Sequence, residues 1–180
     1  MSTIENFMVT NVGIVTSVSG NVNNVFSVVS TSTTGPDLTS MCQTLVGQFT
    51  VIVNYLGTDI TAMQGMPPFT AQADCDTIVS ALGSFVQVHQ ALLATVIGKH
   101  AIFVQFGTTA PVAAVLRTLE ATIDSFAFAM INLIPCGADS VRTTRMVTLD
   151  TSVANSITLY AQFCIPSPLY PTVIPVCVDL

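Results

Sequence analysis

The sequence predicts an all-α fold: an up-down bundle of about five long amphipathic helices, followed by an extended, proline-rich C-terminal tail. Apolar residues recur at spacings of three and four in five successive segments, which is the period of one helix face. Clusters of glycine and proline separate these segments. Because 180 residues is the size of one domain, we expect residues 1–165 to form the bundle and residues 166–180 to pack on it as the tail.

The first two helices are bounded by clear signals. Ser2 and Glu5 have the spacing of a capping box, and "TSTTGPD" ends the helix. The predicted inner stripe of this first helix is Ile4, Met8, Val15, Val18, Val22, Val25 and Val29. Asp37 or Thr39 is expected to cap the second helix, which "GMPPFT" ends. Its inner stripe includes Phe49, Leu56 and Met63.

The third helix is predicted to end at Gly98 in a left-handed C-cap. The fourth is expected to be capped by Thr109, with Pro111 in its first turn, and to stop at Pro135. The inner stripe of the third helix includes Phe85, His89, Leu92 and Val96, and that of the fourth includes Leu119, Ile123, Phe126 and Met130.

The fifth helix and the tail rest on weaker patterns. "VRTTRMVTLDTSV" is rich in β-branched residues, but Met146, Leu149 and Val153 keep the helical period. The segment "IPSPLYPTVIPVCVDL" contains too many prolines for a helix, so it is expected to lie extended along the bundle.

The composition excludes several kinds of partner. Charged residues make up only 8%, the formal charge is −6, and the chain holds four basic residues, too few for a nucleic-acid surface. The mean hydropathy is +0.70, and residues 78–98 are uncharged and long enough to cross a bilayer. A polar stripe of serine, glutamine and threonine along that segment favours a bundle helix over a transmembrane span. The sequence is compatible with both a monomer and a homo-oligomer.

Five cysteines lack the spacing of a zinc or redox motif, so no metal site is predicted. In an up-down bundle Cys75 and Cys136 fall at one end, whereas Cys42, Cys164 and Cys177 fall at the other. The disulfides Cys75–Cys136 and Cys42–Cys164, or Cys42–Cys177, are therefore possible. The alternative is that all five cysteines are reduced.

The polar residues give no catalytic constellation. His89 lies on the apolar face of its helix without a carboxylate within a turn, which is typical of a hydrogen-bonded core residue. Lys99, the single lysine, is placed to interact with a helix dipole, to bind the head group of an acidic amphiphile, or to form a Schiff base. No nucleotide, serine-hydrolase or metalloprotease motif occurs. The protein is therefore not expected to be an enzyme.

The stripes of phenylalanine and methionine are either plain core or the wall of a cavity for an apolar guest. The candidate ligand-binding residues are Phe49, Leu56, Met63, Phe85, His89, Leu92, Val96, Lys99, Leu119, Ile123, Phe126 and Met130. No cofactor is predicted beyond a bound lipid or pigment.

Two stretches, "HQALLATVIGKHAIF" and "APVAAVLRTLEATIDSFAFAMINLIP", resemble the fungal hydrophobic surface-binding protein A family, which is similar to the cell-wall galactomannoproteins. The resemblance runs from about Asp37 to Pro135: a helix ending in lysine, a short loop, and a long helix closing on "LIP". It implies a helical protein without catalysis that adsorbs to hydrophobic surfaces or encloses fatty acids and similar molecules. On this basis, residues of the third and fourth helices line the ligand space, namely Phe85, His89, Leu92, Leu119, Ile123 and Phe126.

The resemblance implies a cell-wall or extracellular location, but "MSTIENFMV" does not have the pattern of a secretory signal. The location therefore stays open. The leading hypothesis is a carrier for an apolar small molecule, and the alternative is a protein that adsorbs to hydrophobic surfaces or to the fungal cell wall.

Overall fold

Five long helices dominate the computed structural model, which describes residues 3–33, 35–141 and 146–178. The predicted all-α bundle is confirmed. The capping box at Ser2 lies outside the described residues. The elements in chain order are α1 Thr3–Ser27, α2 Gly35–Met63, α3 Gln72–Gly98, the short α4 His100–Gln105, α5 Thr109–Leu133, a 3-10 turn Pro135–Gly137, α6 Ala138–Ser140, α7 Met146–Tyr160, β1 Phe163–Ile165 and β2 Val176–Val178.

The long helices form a closed ring in the order α1, α2, α5, α7, α3 and back to α1, because each of them makes its main contacts with two others. The polar contacts give the directions. Ser19 of α1 meets His89 of α3, and Asn23 meets Thr95 further toward the C-terminal end of both helices, so α1 and α3 run parallel. Asn11 near the start of α1 meets Asp59 near the end of α2, so these two helices are antiparallel.

The inner faces of all five helices supply one continuous core. On α1 the buried stripe runs through Met8, Val12, Val15, Ser19 and Phe26. The predicted stripe of α1 was partly wrong, because Val25 is 46% exposed. Its valines allow two neighbouring faces, and the packing against α2 and α3 selects the face that carries Phe26.

The junction between α3 and α4 differs from the prediction. Gly98 is the last residue of α3, and the C-cap is Lys99 with φ −100° and ψ 2°. The carbonyl of Lys99 accepts bonds from the amides of Ile102 and Phe103, so a second short helix begins at once. The glycine with positive φ is instead Gly107 (φ 67°), where the chain turns toward α5.

The start and end of α5 follow the sequence signals in part. Thr109 is the first residue of the helix rather than its cap, and Thr108 in the cap position makes no capping hydrogen bond with its side chain. Pro111 lies in the first turn, as predicted. The helix ends at Leu133, two residues before Pro135.

The tail forms a two-stranded antiparallel ribbon rather than a single extended segment. β1 and β2 pair Phe163 with Val178, Cys164 with Cys177, and Ile165 with Val176. Two hydrogen bonds fix the ribbon to the bundle: the side-chain amide of Gln105 donates to the Ser167 carbonyl at 3.0 Å, and the Ser167 amide donates to Gln105 Oε1 at 2.9 Å. The sequence predicted no strand here, because prolines surround both short strands.

The structure contains the disulfides Cys75–Cys136 and Cys164–Cys177. The first is one of the predicted pairings. The predicted bonds of Cys42 with Cys164 or Cys177 were wrong, since the tail folds back on itself and joins its own two cysteines. Cys42 is a buried free thiol that contacts the Thr108 carbonyl at 3.6 Å. Burial raises the pKa of this thiol.

One described helix, α3, is long and apolar enough to cross a membrane by length and composition alone. Its apolar side, including Ile78, Leu82, Phe85 and Leu92, faces the core of the bundle.

Candidate functional site

The predicted ligand-binding residues, Lys99 excepted, lie together in the core of the ring. They come from α2, α3 and α5, and each exposes 4% of its surface or less. The stripes align because each helix projects every third or fourth side chain inward. The buried members of the set are Phe49, Leu56, Met63, Phe85, His89, Leu92, Val96, Leu119, Ile123, Phe126 and Met130.

His89 is the polar residue at the centre of this apolar group. Its side chain is fully buried, and its Nδ1 lies 2.9 Å from the hydroxyl oxygen of Ser19, which is also fully buried. Its Nε2 is buried without a hydrogen-bond partner in the described part of the chain. A buried polar atom normally has a partner, because leaving it without one costs about 1–3 kcal/mol. This nitrogen is therefore an unused hydrogen-bonding group inside the bundle.

Two phenylalanine rings surround the imidazole of His89. The ring of Phe85, one turn earlier on α3, has its centroid 5.3 Å away, and the ring of Phe49 on α2 packs edge-on at 6.1 Å. In the ring, α2 packs on α1 and α5 whereas α3 packs on α1 and α7, so α2 and α3 are not neighbours. The contact between Phe49 and His89 therefore extends across the inside of the ring, where a guest between the helices would lie.

Burial lowers the pKa of His89 to about 4, because the apolar surroundings disfavour the charged imidazolium. The ring is neutral at pH 7 and carries its proton on one nitrogen. When Ser19 donates its hydroxyl proton to Nδ1, the ring proton is on Nε2, which is then a donor toward the interior. The site thus offers a neutral hydrogen-bond donor inside an apolar wall.

Lys99 is separate from this group. It is partly exposed and lies at the junction of α3 and α4. Ten residues separate it from His89 along almost the whole remaining length of α3, about 15 Å at 1.5 Å per residue. The structure therefore does not bring the two predicted polar contacts together: one is central and the other lies at an end of the bundle.

The second histidine, His100, lies outside the apolar group. It packs edge-on against the ring of Tyr160, with centroids 4.8 Å apart, and exposes 7% of its surface. Tyr160 in turn donates a hydrogen bond of 2.7 Å to the Val96 carbonyl, which connects α7 to the end of α3. Burial lowers the pKa of His100.

A long groove follows the outside of the bundle between α2 and α5. One part, of about 950 Å³, is lined mostly by small polar residues such as Thr58, Thr61 and Thr122. It continues at the shared residues Ile60 and Ser125 into a second part of about 770 Å³, where Met66 and Phe128 lie. Phe128 is 69% exposed. Sequence reasoning missed this groove, although the position of Phe128 two residues after Phe126 places it off the inner stripe of α5.

A second buried polar pair was also missed. Asp59 of α2 exposes 1% of its surface and accepts a 2.6 Å hydrogen bond from the Asn11 side chain, while its other carboxylate oxygen has no partner within the described ranges. Burial raises the pKa of Asp59, and the bond from Asn11 partly offsets that rise. The sequence did contain a signal for this pair: Asp59 lies three residues after the inward-facing Leu56, so it is on the buried face of α2.

The other acids give no evidence of catalysis. Asp76 and Asp124 are exposed, and Asp76 accepts a hydrogen bond from Gln72 on the same face of α3. Among the described residues, no carboxylate contacts either histidine in a way that would orient a general base.

The fold is shared with solved structures of ligand-bound proteins. Afmp4p in complex with palmitic acid has a TM-score of 0.77 and 13% identity over 87% of this chain and 99% of that chain. Ligand binding domain 2 of the Penicillium marneffei MP1 protein, complexed with multiple arachidonic acids, has a TM-score of 0.74 and 15% identity over 89% of this chain and 97% of its own.

Ligand binding domain 1 of the same MP1 protein, complexed with arachidonic acids, gives a TM-score of 0.66 at 13% identity, over 86% of this chain and 99% of that one. No protein-family model and no curated protein matches the chain. At these identities the likeness establishes the fold, and all three structures, from two proteins, hold fatty acids.

Proposed function

We propose that the protein is a non-enzymatic carrier that binds an apolar small molecule of the fatty-acid class between the helices of its ring. The observation that carries this proposal is the buried Nε2 of His89, which has no partner in the described chain and lies in an apolar interior. Binding sites for such ligands combine apolar walls with very few polar groups that fix orientation. Afmp4p and two domains of the MP1 protein, which have the same fold, are bound to palmitic or arachidonic acid, and this supports the same class of ligand.

The binding energy would come from the acyl chain. Each methylene group moved from water into the interior contributes about 0.8 kcal/mol. Because the interior is occupied by buried side chains, the ring must expand or its side chains must rearrange when a guest enters. Met8, Met63 and Met130 suit such a rearrangement, since an unbranched thioether changes rotamer at low cost.

His89 and Lys99 are two alternative anchors for the polar end of the guest. His89 Nε2 would donate a hydrogen bond to a carboxylate inside the ring, whereas Lys99 would attract it toward the end of α3. The chain is uncharged between Asp76 and Lys99, so an acidic head group that enters the ring meets no other side-chain cation on this helix. We assign the head group to His89, because its Nε2 is the atom that lacks a partner.

The test measures binding of palmitic acid to delipidated protein, with a fluorescent fatty acid as the displaced probe. His89→Leu keeps the apolar volume and removes the donor, so affinity should fall about 10- to 150-fold, the value of one hydrogen bond to a charged group. His100→Leu is the matched control and should leave affinity unchanged. Loss of affinity in Lys99→Met but not in His89→Leu would move the anchor to Lys99. Wild-type protein that binds no fatty acid would refute the carrier.

A second function is favoured by the tail. The ribbon exposes the cross-strand pairs Phe163 with Val178 and Ile165 with Val176, each side chain being 53–65% exposed. No charged residue occurs from 151 to 178, so this apolar face suits adsorption to a hydrophobic surface, as the resemblance to the hydrophobic surface-binding proteins implies.

Native mass spectrometry of the protein from its source, with organic extraction, separates the two functions. A stoichiometric lipid or pigment supports the carrier. An empty chain that coats hydrophobic beads, and that loses this property when Ile165 and Val176 are both replaced by serine, supports the surface-active protein.

A further inference from the structure

His100 lies beside the disulfide of the tail. One ring nitrogen of His100 and the sulfur atoms of Cys164 and Cys177 all lie within 4.8 Å of one another. The histidine exposes only 7% of its surface, and its Nε2 has no hydrogen-bond partner among the described residues. The lipid-binding proposal uses none of these three side chains.

Several contacts other than the disulfide itself hold the cluster in place. The two cysteines are directly opposite in the ribbon, and the pairs Phe163–Val178 and Ile165–Val176 flank them. Two hydrogen bonds between Gln105 and Ser167, of 2.9 and 3.0 Å, fix the ribbon to the helix that carries His100. The cysteine sulfurs are therefore expected to stay near the imidazole when the bond between them is opened.

The residue types match the ligand preferences of zinc. A thiol or phosphine reductant supplies two electrons, which together with two protons convert the disulfide into two thiols. A divalent metal then displaces those protons and binds two thiolates and a neutral imidazole. With zinc–sulfur bonds of about 2.3 Å and zinc–nitrogen bonds of about 2.0 Å, tetrahedral geometry needs ligand atoms about 3.5–3.8 Å apart. The ring nitrogen lies within 4.8 Å of both sulfurs, at most about 1.3 Å beyond that spacing, and the two sulfurs separate once the bond between them is opened.

We propose that reduction of Cys164–Cys177 converts this cluster into a binding site for a thiophilic divalent metal, zinc foremost, with His100, Cys164 and Cys177 as protein ligands. A water molecule completes the tetrahedron, because the cluster supplies three side chains. The oxidised protein has no free thiolate at this position and does not bind the metal. The tail thereby responds to redox state and to zinc in one step.

The experiment uses the full chain with Cys42→Ser, which removes the buried free thiol. The protein is treated with a phosphine reductant, and cobalt(II) is added as a spectroscopic probe and then displaced by zinc. We expect one metal per chain, with thiolate-to-cobalt absorption that is absent from the oxidised protein. His100→Gln should weaken zinc binding by at least about tenfold. Cys164→Ser and Cys177→Ser should each remove half or more of the thiolate absorption.

The controls separate this site from the other thiols. Reduction also opens Cys75–Cys136, so the reduced Cys75→Ala/Cys136→Ala protein should still bind the metal with unchanged affinity. His89→Leu should bind zinc like wild type, since His89 lies in the core of the ring. Equal affinity in Cys164→Ser, or no binding to the reduced protein, overturns the proposal.

Discussion

Replacing His89 by leucine should change how the stability of the protein depends on pH. Burial lowers the folded-state pKa of His89 to about 4, whereas an unperturbed histidine in the unfolded chain titrates near 6.5. Below about pH 6.5 His89 therefore binds a proton in the unfolded chain, whereas in the folded protein it stays neutral until the pH approaches 4. The contribution of His89 to stability is complete above that pH and is lost progressively as the pH falls toward 4.

The magnitude follows from these two pKa values. Between about pH 7.5 and about pH 5 the unfolded state gains about 2 kcal/mol relative to the folded state from this one group. For a chain of this length, 2 kcal/mol corresponds to a decrease of roughly 4–8 °C in Tm. His89→Leu cannot take up the proton, so it should lack this part of the decrease.

The assay is chemical unfolding by urea at both pH values, for wild type and His89→Leu, followed by circular dichroism. The difference between the two proteins isolates His89, because Asp59 and His100 also titrate abnormally but are present in both. Wild type should lose about 2 kcal/mol more than the variant on acidification. An equal loss of stability in both proteins would show that His89 is solvated or charged in the folded protein. It would refute the conclusion that His89 is a buried, neutral hydrogen-bond donor.

Three further predictions concern packing, cross-links and ligand. A Cβ on Gly137 would lie 2.8 Å from the nearest side-chain atom, so Gly137→Ala should lower the free energy of unfolding by roughly 1–3 kcal/mol in the urea assay. The control is Gly47→Ala, where the added Cβ meets open space on α2. This substitution should raise the free energy of unfolding by about 0.5–1 kcal/mol. Removing Cys75–Cys136, which closes 61 residues, should cost about 4 kcal/mol, against about 3 kcal/mol for the 13-residue loop of the tail disulfide. Palmitic acid at about 100 times its Kd should raise Tm by roughly 5–11 °C in differential scanning fluorimetry, and an unchanged Tm would contradict binding to the folded state.

The helices and most of the buried candidate residues could be predicted because both depend on one-dimensional periodicity. Phe49, Phe85 and Phe126 are at helical spacing from other apolar residues, and any bundle that buries those stripes places them inside. The polar partner of His89 could not be predicted in this way. Ser19 lies 70 residues earlier, and only the parallel packing of α1 and α3 brings the two together.

The predictions for the tail and for the junction between α3 and α4 were partly wrong for local reasons. α3 ends at Gly98 as predicted, but the left-handed C-cap was wrong. The residues His100–Gln105 are themselves helical, so the chain bends there without a left-handed residue. In the tail, the frequency of proline correctly predicted the absence of a helix, but it did not predict which residues of β1 and β2 pair with each other. The pairing of Cys164 with Cys177 depends on that register. The contact of Gln105 on α4 with Ser167, between the two strands, could not be predicted from proline frequency either.

A last prediction concerns whether side chains and a guest compete for the same interior space. Phe126→Ala should lower the stability of the empty protein by about 3–5 kcal/mol, because Phe126 is fully buried on the inner face of α5. If an acyl chain occupies that space, three methylene groups contribute about 2.4 kcal/mol, or about sixtyfold in Kd. Phe103→Ala is the matched control. This ring is equally buried but packs against Phe26 and Tyr160.

The control should be destabilised to a similar degree without any gain in affinity. Fatty-acid titration of both delipidated variants measures the difference. A tighter Kd in Phe126→Ala alone would mean that the wild-type interior is held closed by side chains that a ligand can replace. Equal weakening in both variants would place the ligand elsewhere, and the outer groove between α2 and α5 would then become the leading site. In that case the buried side chains would only stabilise the fold, and the ligand would bind to the surface of the bundle.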